Sequence, residues 1–366
     1  MKKIFKYILM FLALVIIYKG SGMILNKMYL KNYNRVQYTG DTRYDTLYST
    51  ILKKYKKSDE ALLINVSYID DAVSFSNYAY QKNIPIIYSD KTELDEKTEK
   101  IIKKLGVKKI TIIGSDSSIS NSVERNLNIN DIKTERIIYK SGVEMSKKAF
   151  ELTNKYKRIN GIAIVSRSNF DLPNAISFAP YALNKNIAIV TTDQTLEDII
   201  NIKKIIEENK IENIYYISNN KGINENLISS LGKGVIINGK DRFEVNKNII
   251  NKFYANKSEQ IYVSQAGKIM HRRYLDYGQL TNAMSALPLA AESNSPILFL
   301  EKEIPNKDEI NIISRGKYKT INEMGFKIKR RKIFDIERFA KPTTILLVII
   351  SMFVIYRTLS KKDHNL

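Results

Sequence analysis

A threefold internal period constrains this chain more than any single residue does. Asp71-Ala72-Val73-Ser74 returns as Asn174-Ala175-Ile176-Ser177 and as Asn282-Ala283-Met284-Ser285, in steps of 103 and 108 residues. Pro85-Ile86-Ile87, Ala188-Ile189-Val190 and Pro296-Ile297-Leu298 repeat with the same steps. A third anchor reads as a helix start: Ile119-Ser120-Asn121, Ile223-Asn224-Glu225 and Ile321-Asn322-Glu323, moving by 104 and then 98 residues. Drift this small puts the insertions in loops and leaves each copy the size of one ordinary domain.

Within a copy, strand and helix patterns alternate. Glu60–Val66, Gly161–Val165 and Gln260–Ser264 are largely continuous apolar runs, which fit parallel strands covered on both faces. In the first copy Asp71 opens a helix and Ile84–Tyr88 forms a strand. Leu94–Leu105 follows as an amphipathic helix stopped by Gly106, and Lys109–Ile113 as another strand. The expected fold class is α/β: three tandem small doubly wound parallel-sheet modules, flanked by N- and C-terminal membrane segments. The expected divisions are a signal or anchor segment at 1–26, modules at 27–136, 137–238 and 239–338, and a C-terminal transmembrane helix with a basic tail at 339–366. The third copy departs twice. It has a longer loop after its first strand, and the stretch from Leu300 to Asn311 is too short for the helix expected there.

Both ends carry apolar runs. Tyr7–Tyr18 follows Lys2, Lys3 and Lys6 and fits a cleaved signal or a retained anchor, whereas Thr343–Tyr356, between Lys341 and Arg357, reads as a membrane anchor. Positive charge beside both runs places both termini inside and the repeats outside. The expected location is the cell membrane, with the repeat region facing the cell wall.

The formal charge is +21; residues 1–26 hold four lysines and no acid, and residues 339–366 a net three, leaving +14 on 27–338. A folded region this basic seeks polyanions, and outside a membrane these are acidic lipid head groups or wall polymers and not nucleic acid. Cysteine is absent, which removes disulfides, thiolate metal sites and a cysteine nucleophile.

Arg35-Val36-Gln37-Tyr38-Thr39-Gly40-Asp41-Thr42-Arg43-Tyr44-Asp45-Thr46 is similar to the opening signature of the clostridial cell wall-binding repeat 2 family. Gly239-Lys240-Asp241-Arg242-Phe243-Glu244 repeats it; the second copy keeps Arg136 and Gly142, with Met145 in place of the arginine. The resemblance covers residues 35 to about 330. It implies a compact pseudo-threefold assembly and noncovalent attachment to anionic polymers of the Gram-positive wall. The family's wall-binding strand motif, Pro-Ile-Leu-Leu-like, corresponds to Pro85-Ile86-Ile87-Tyr88, Ala188-Ile189-Val190-Thr191 and Pro296-Ile297-Leu298-Phe299.

Catalytic candidates fall away when the copies are compared. Asp70-Asp71 could serve as an acid and base, but the positions matching Asp71 are Asn174 and Asn282, which share capping ability and not acidity, so Asp71 reads as a helix N-cap. Gly114-Ser115-Asp116 resembles a phosphate-cradling turn, yet the second copy has Ser218-Asn219-Asn220. His271 is the only histidine between the ends, so no histidine metal cluster can form, and no serine elbow accompanies it. No catalytic residue, cofactor or metal is expected.

The polymer-binding candidates are basic and aromatic residues beyond strand ends, where open α/β sheets hold ligands. They are Arg167 in the second copy and His271, Arg272, Arg273, Tyr274 and Tyr277 in the enlarged loop of the third. Arg43 and Arg242, at matching positions, read as contacts between modules. The expected function is a noncatalytic, membrane-anchored surface protein binding anionic wall glycopolymer through many weak contacts. The alternative is an envelope scaffold whose degenerate repeats hold a protein partner.

Overall fold

Runs apolar on both faces can only be satisfied at the centre of a layered module, and that is where they lie. The computed structural model describes residues 33–329, except 221, 256–257 and 268–276, and Asn34–Ile328 forms one compact unit. The first sheet holds β2 (Glu60–Asn65), β3 (Ile86–Ser89), β4 (Lys109–Ile113) and β5 (Lys133–Ile137) in the order β3-β2-β4-β5. The second holds β6 (Gly161–Ser166), β7 (Ile187–Thr192), β8 (Asn213–Asn219) and β9 (Val235–Gly239) in the order β7-β6-β8-β9. The third holds β10 (Gln260–Gln265), β11 (Ile297–Leu300) and β12 (Thr320–Met324), completed by β1 (Asn34–Tyr38), in the order β11-β10-β12-β1. Every pairing is parallel. Three parallel-sheet α/β modules are therefore present as the repeat requires.

Each sheet takes its fourth strand from the head of the next period, and β1 closes the cycle by pairing with β12, Asn34 opposite Thr320 through Tyr38 opposite Met324. The helices repeat the same circular logic. The helix opening each period, α1 (Arg43–Lys54), α5 (Gly142–Tyr156) and α9 (Arg242–Phe253), packs on the helix after the first strand of a neighbouring sheet. Those partners are α10 (Tyr277–Ser285) for α1, α2 (Ile69–Lys82) for α5 and α6 (Leu172–Lys185) for α9. Buried polar pegs set the contacts. Ser146 on α5 accepts from Thr191 N on the edge strand β7 at 3.0 Å, and Asn246 on α9 accepts from Phe299 N on β11 at 2.9 Å. The remaining helices are α3 (Glu96–Leu105), α4 (Asn121–Ile129), α7 (Leu196–Asn209), α8 (Glu225–Leu231), α11 (Leu287–Glu292) and α12 (Lys307–Arg315).

Several expectations need correction. The stretch after Leu300 does carry a helix, α12, started by a capping box between Asn306 and Glu309. Ile321-Asn322-Glu323 is not a helix start; it lies within β12, because Thr320 pairs with Gln260 as Lys109 pairs with Glu60 in the first sheet. Asp71 is not an N-cap, since α2 is capped by Tyr68 and Asp71 lies third in the helix, within its first turn.

The expected membrane location is also corrected. Among the described residues no helix is long and apolar enough to cross a membrane. The longest, α5 with 15 residues, would reach about 22 Å against a hydrocarbon core of about 30 Å, and one face of it is exposed. The runs at 7–18 and 343–356 lie outside the described residues.

Candidate functional site

Parallel strands present their C-terminal ends together, and in the order found here the first and third strands of each module part at the point where the chain reverses direction. That crevice occurs three times, with three different contents.

In the first module it is closed. Tyr139, just past β5, donates its phenol to both carboxylate oxygens of Asp71, at 2.7 and 2.6 Å. Asp71 is fully buried, and burial together with the neighbouring Asp70 charge pushes its pKa up to about 7. Asn65 Nδ2 ties the end of β2 to Ser118 O at 2.7 Å. Arg136 donates to Gly114 O and Ile119 O, each at 3.0 Å, and pairs with Glu124 at 2.8 Å. The suspected phosphate turn at Gly114 is thereby bound up in side-chain contacts.

In the second module the equivalent crevice is open, with a volume of about 570 Å³. Strand register makes Gly239 the counterpart of Tyr139: Ile217 faces Ile237 as Ile113 faces Ile137, and each is two residues ahead. A Cβ on Gly239 would lie 2.7 Å from the Val245 nitrogen, so the close strand-to-helix turn keeps this position bare. The lining includes Ser166, Ser168, Phe170, Asp171, Gln194 and Asn220, with Gly222 and Lys240 beside them. Asp171 is the buried hub, accepting from Asn219 N at 2.8 Å, Ser168 Oγ at 2.8 Å and Asn174 Nδ2 at 3.0 Å, and burial raises its pKa. Gly222 passes so close that a Cβ would meet Asp171 Oδ2 at 2.2 Å. Gln194 clamps the rim, donating to Gly222 O at 2.6 Å and accepting from Asn224 N at 2.8 Å.

Arg167 borders this crevice. Its Nε and Nη2 donate to Asp70 Oδ2 at 3.0 and 2.7 Å, and its Nη1 to Asp193 Oδ2 at 2.8 Å. One guanidinium thus joins the first module to the second, with both arms occupied. It fills a space vacated by the helix opposite. Thr42, Ser141 and Asp241 cap the three opening helices, so Gly142 holds the place of Arg43 and Arg242, and Met145 does not. A Cβ on Gly142 would lie 2.5 Å from Arg167 Cδ, Nε and Cζ. In the third module the arginine sits on the helix instead, and Arg242 Nη2 donates to Gly267 O at 2.7 Å.

At the matching end of the third sheet Gly325 has a φ of +76°, and a Cβ there would run into Asn282, so the position has no room for a side chain. His271, Arg272, Arg273 and Tyr274 lie outside the described residues, as does the side chain of Tyr277. The strand motif singled out in the sequence is core: Ile87, Tyr88, Ile189, Val190, Thr191, Ile297, Leu298 and Phe299 are all buried.

Residues 37–124 and 236–324 match the family model of cell wall binding domain 2. The first and third periods thus carry repeats of the cell wall binding domain 2 kind. The two matches cover the periods that keep the opening signature, and the middle period lies between them. The chain is 25% identical over 229 residues to N-acetylmuramoyl-L-alanine amidase LytC of Bacillus subtilis (strain 168), covering 62% of this chain and 44% of that protein. It is 26% identical over 268 residues to the amidase enhancer of the same organism, covering 73% and 35%. Cwp6 from Clostridium difficile has the same fold at a TM-score of 0.71 and 21% identity, over 82% of this chain and 47% of that one. Cwp8 from Clostridium difficile matches at 0.70 and 22%, over 82% and 50%. The chain thus spans half or less of each relative, so their activities do not transfer with the match. What the cell wall binding domain 2 repeats imply is the cell surface, which replaces the membrane as the expected location.

Proposed function

We propose that this protein is a noncatalytic cell-surface protein that holds anionic glycopolymer of the Gram-positive wall through its cell wall binding domain 2 modules. The observation that carries this reading is the family match on a region with a net charge of +14. Charge-assisted contacts along a polymer add through multivalency, so no single deep pocket is required. The apparent acid pair supports a binding role over catalysis: Asp70 is held by Arg167 and Asp71 by Tyr139. Contact residues in this reading are His271, Arg272, Arg273, Tyr274 and Tyr277 before and at the start of α10. Arg167, with both arms engaged, shapes the neighbouring crevice.

Co-sedimentation of the full chain with purified Gram-positive walls tests the reading. Binding is expected to weaken steeply as salt rises and to fall when the anionic polymer is extracted with acid. Binding that ignores salt, or no binding, overturns it.

A further inference from the structure

The middle period has the weakest signature in sequence, yet its sheet carries the open crevice. We propose that this crevice is a subsite for a glycosyl residue bearing an acidic group, within the wall polymer named above; the proposal rests on that reading of function.

Four observations converge. The position is the topological switch point of an open parallel sheet, where loops after the first and third strands diverge and leave room for a ligand. Its volume, about 570 Å³, falls inside the range of roughly 300–1,000 Å³ found for ligand sites. At the same end of the first module the Tyr139 phenol covers Asp71, whereas the matching position in the second module, Gly239, carries no side chain.

The lining chemistry is the fourth. Phe170 is 38% exposed and offers an aromatic face for a sugar ring. Ser166, Ser168 and Asn220 supply hydroxyl and amide groups for ring hydroxyls. Lys240 is exposed at the rim and has no ion-pair partner among the described residues, so it offers a cation to an acidic substituent. Asp171, whose oxygens accept from Asn219, Asn174 and Ser168, is buried in the floor and disfavours an anion there, so the acidic substituent belongs at the rim beside Lys240. The work of Asp171 is to hold the ends of β6 and β8 apart at fixed spacing. An aromatic face, neutral hydrogen-bonding groups and the Lys240 cation suit a charged sugar better than a bare phosphate or a peptide.

The test uses the full chain, with Phe170→Ala/Lys240→Ala to remove the ring and the cation, and Asn220→Trp to fill the crevice. All three positions are exposed, so the fold is expected to survive, and thermal midpoints verify it. Lys233→Ala/Ile236→Ala, where Lys233 precedes β9 at its opposite end, removes the same kinds of group as a control. Affinity is measured on intact Gram-positive walls and on walls stripped of anionic polymer by acid. On intact walls both crevice variants are expected to bind at least tenfold more weakly than the native chain, and the control within twofold of it. Crevice variants that bind as tightly as the native chain overturn the subsite and leave the wall-binding function standing. Equal native binding to intact and stripped walls overturns the acidic ligand class, and no native binding to either overturns both proposals.

Discussion

Exchanging the arginine between the two positions that share one space at a module junction should be nearly neutral, although each half of the exchange is costly. Arg167 and Gly142 in the second module occupy the space that Arg242 and the backbone of Gly267 share in the third. Arg167→Ala strips Asp70, whose side chain is only 13% exposed, of two hydrogen bonds and leaves it beside Asp71. The Asp193 arm counts for little, because that carboxylate is 54% exposed. Breaking a half-buried pair of this kind should cost about 2–3 kcal/mol, below the 3–5 kcal/mol of a fully buried one. Gly142→Arg alone drives a side chain into an occupied site and should cost about 1–3 kcal/mol. The double variant Gly142→Arg/Arg167→Ala restores one arginine to one space and should lose no more than about 1 kcal/mol, a coupling of about 2 kcal/mol or more. Urea unfolding of the four proteins, compared at equal m-values, measures that coupling. Additivity of the two single changes within about 0.5 kcal/mol would refute the shared-space argument.

Three further outcomes follow from buried polar contacts. Burial lifts the Asp71 pKa to about 7, well above its unfolded value of about 3.9, so the folded state keeps a proton that the unfolded state releases. Stability should therefore fall between about pH 4 and pH 7, and Asp71→Asn should flatten that fall and stabilise by roughly 1–3 kcal/mol at pH 8. Tyr139→Phe removes the donor to the ionised form and should cost about 1–2 kcal/mol at pH 8 but less at pH 4; urea midpoints with the opposite pH trend would overturn the assignment. Arg35 on β1 donates Nε to Glu323 on β12 at 2.8 Å, and Glu323 is fully buried. Arg35→Ala, in a pair whose carboxylate alone is fully buried, should cost about 2–4 kcal/mol, and Arg35→Ala/Glu323→Leu should recover much of it; a loss below about 1 kcal/mol in urea unfolding would show that the seam is not held there.

The repeat made the three modules legible, because continuous apolar runs and helix punctuation are local signals. Pairing across a period boundary is not local, so the sequence held no sign that β1 belongs beside β12, some 286 residues away in the register. The mistaken helix start at Ile321 came from matching residue types where strand register decides, whereas the Asn306–Glu309 capping box was a readable signal for the helix that was missed. The arginine exchange was obscured for a related reason. Aligning on the arginine itself pointed to Met145, while the cap residues Thr42, Ser141 and Asp241 point to Gly142. Of the crevice, Arg167 at the rim was legible from its place after a strand. Phe170, Asp171, Gln194, Asn220 and Lys240 were not, although the contrast of Tyr139 with Gly239 stood in the sequence once the strands were in register.

The closure of the third sheet by β1 also sets how the repeat region would carry load. β1 enters that sheet at one end and β12 leaves at the other, side by side and parallel over five residue pairs. Tension along the chain from both sides would slide these strands past each other lengthwise, so the ladder bonds share the strain and do not peel apart in sequence. The Arg35–Glu323 pair, half-buried at the arginine and fully buried at the carboxylate, crosses the same seam. A surface protein gripping a wall through its modules would thus meet a pull on the chain at the joint best arranged to bear it.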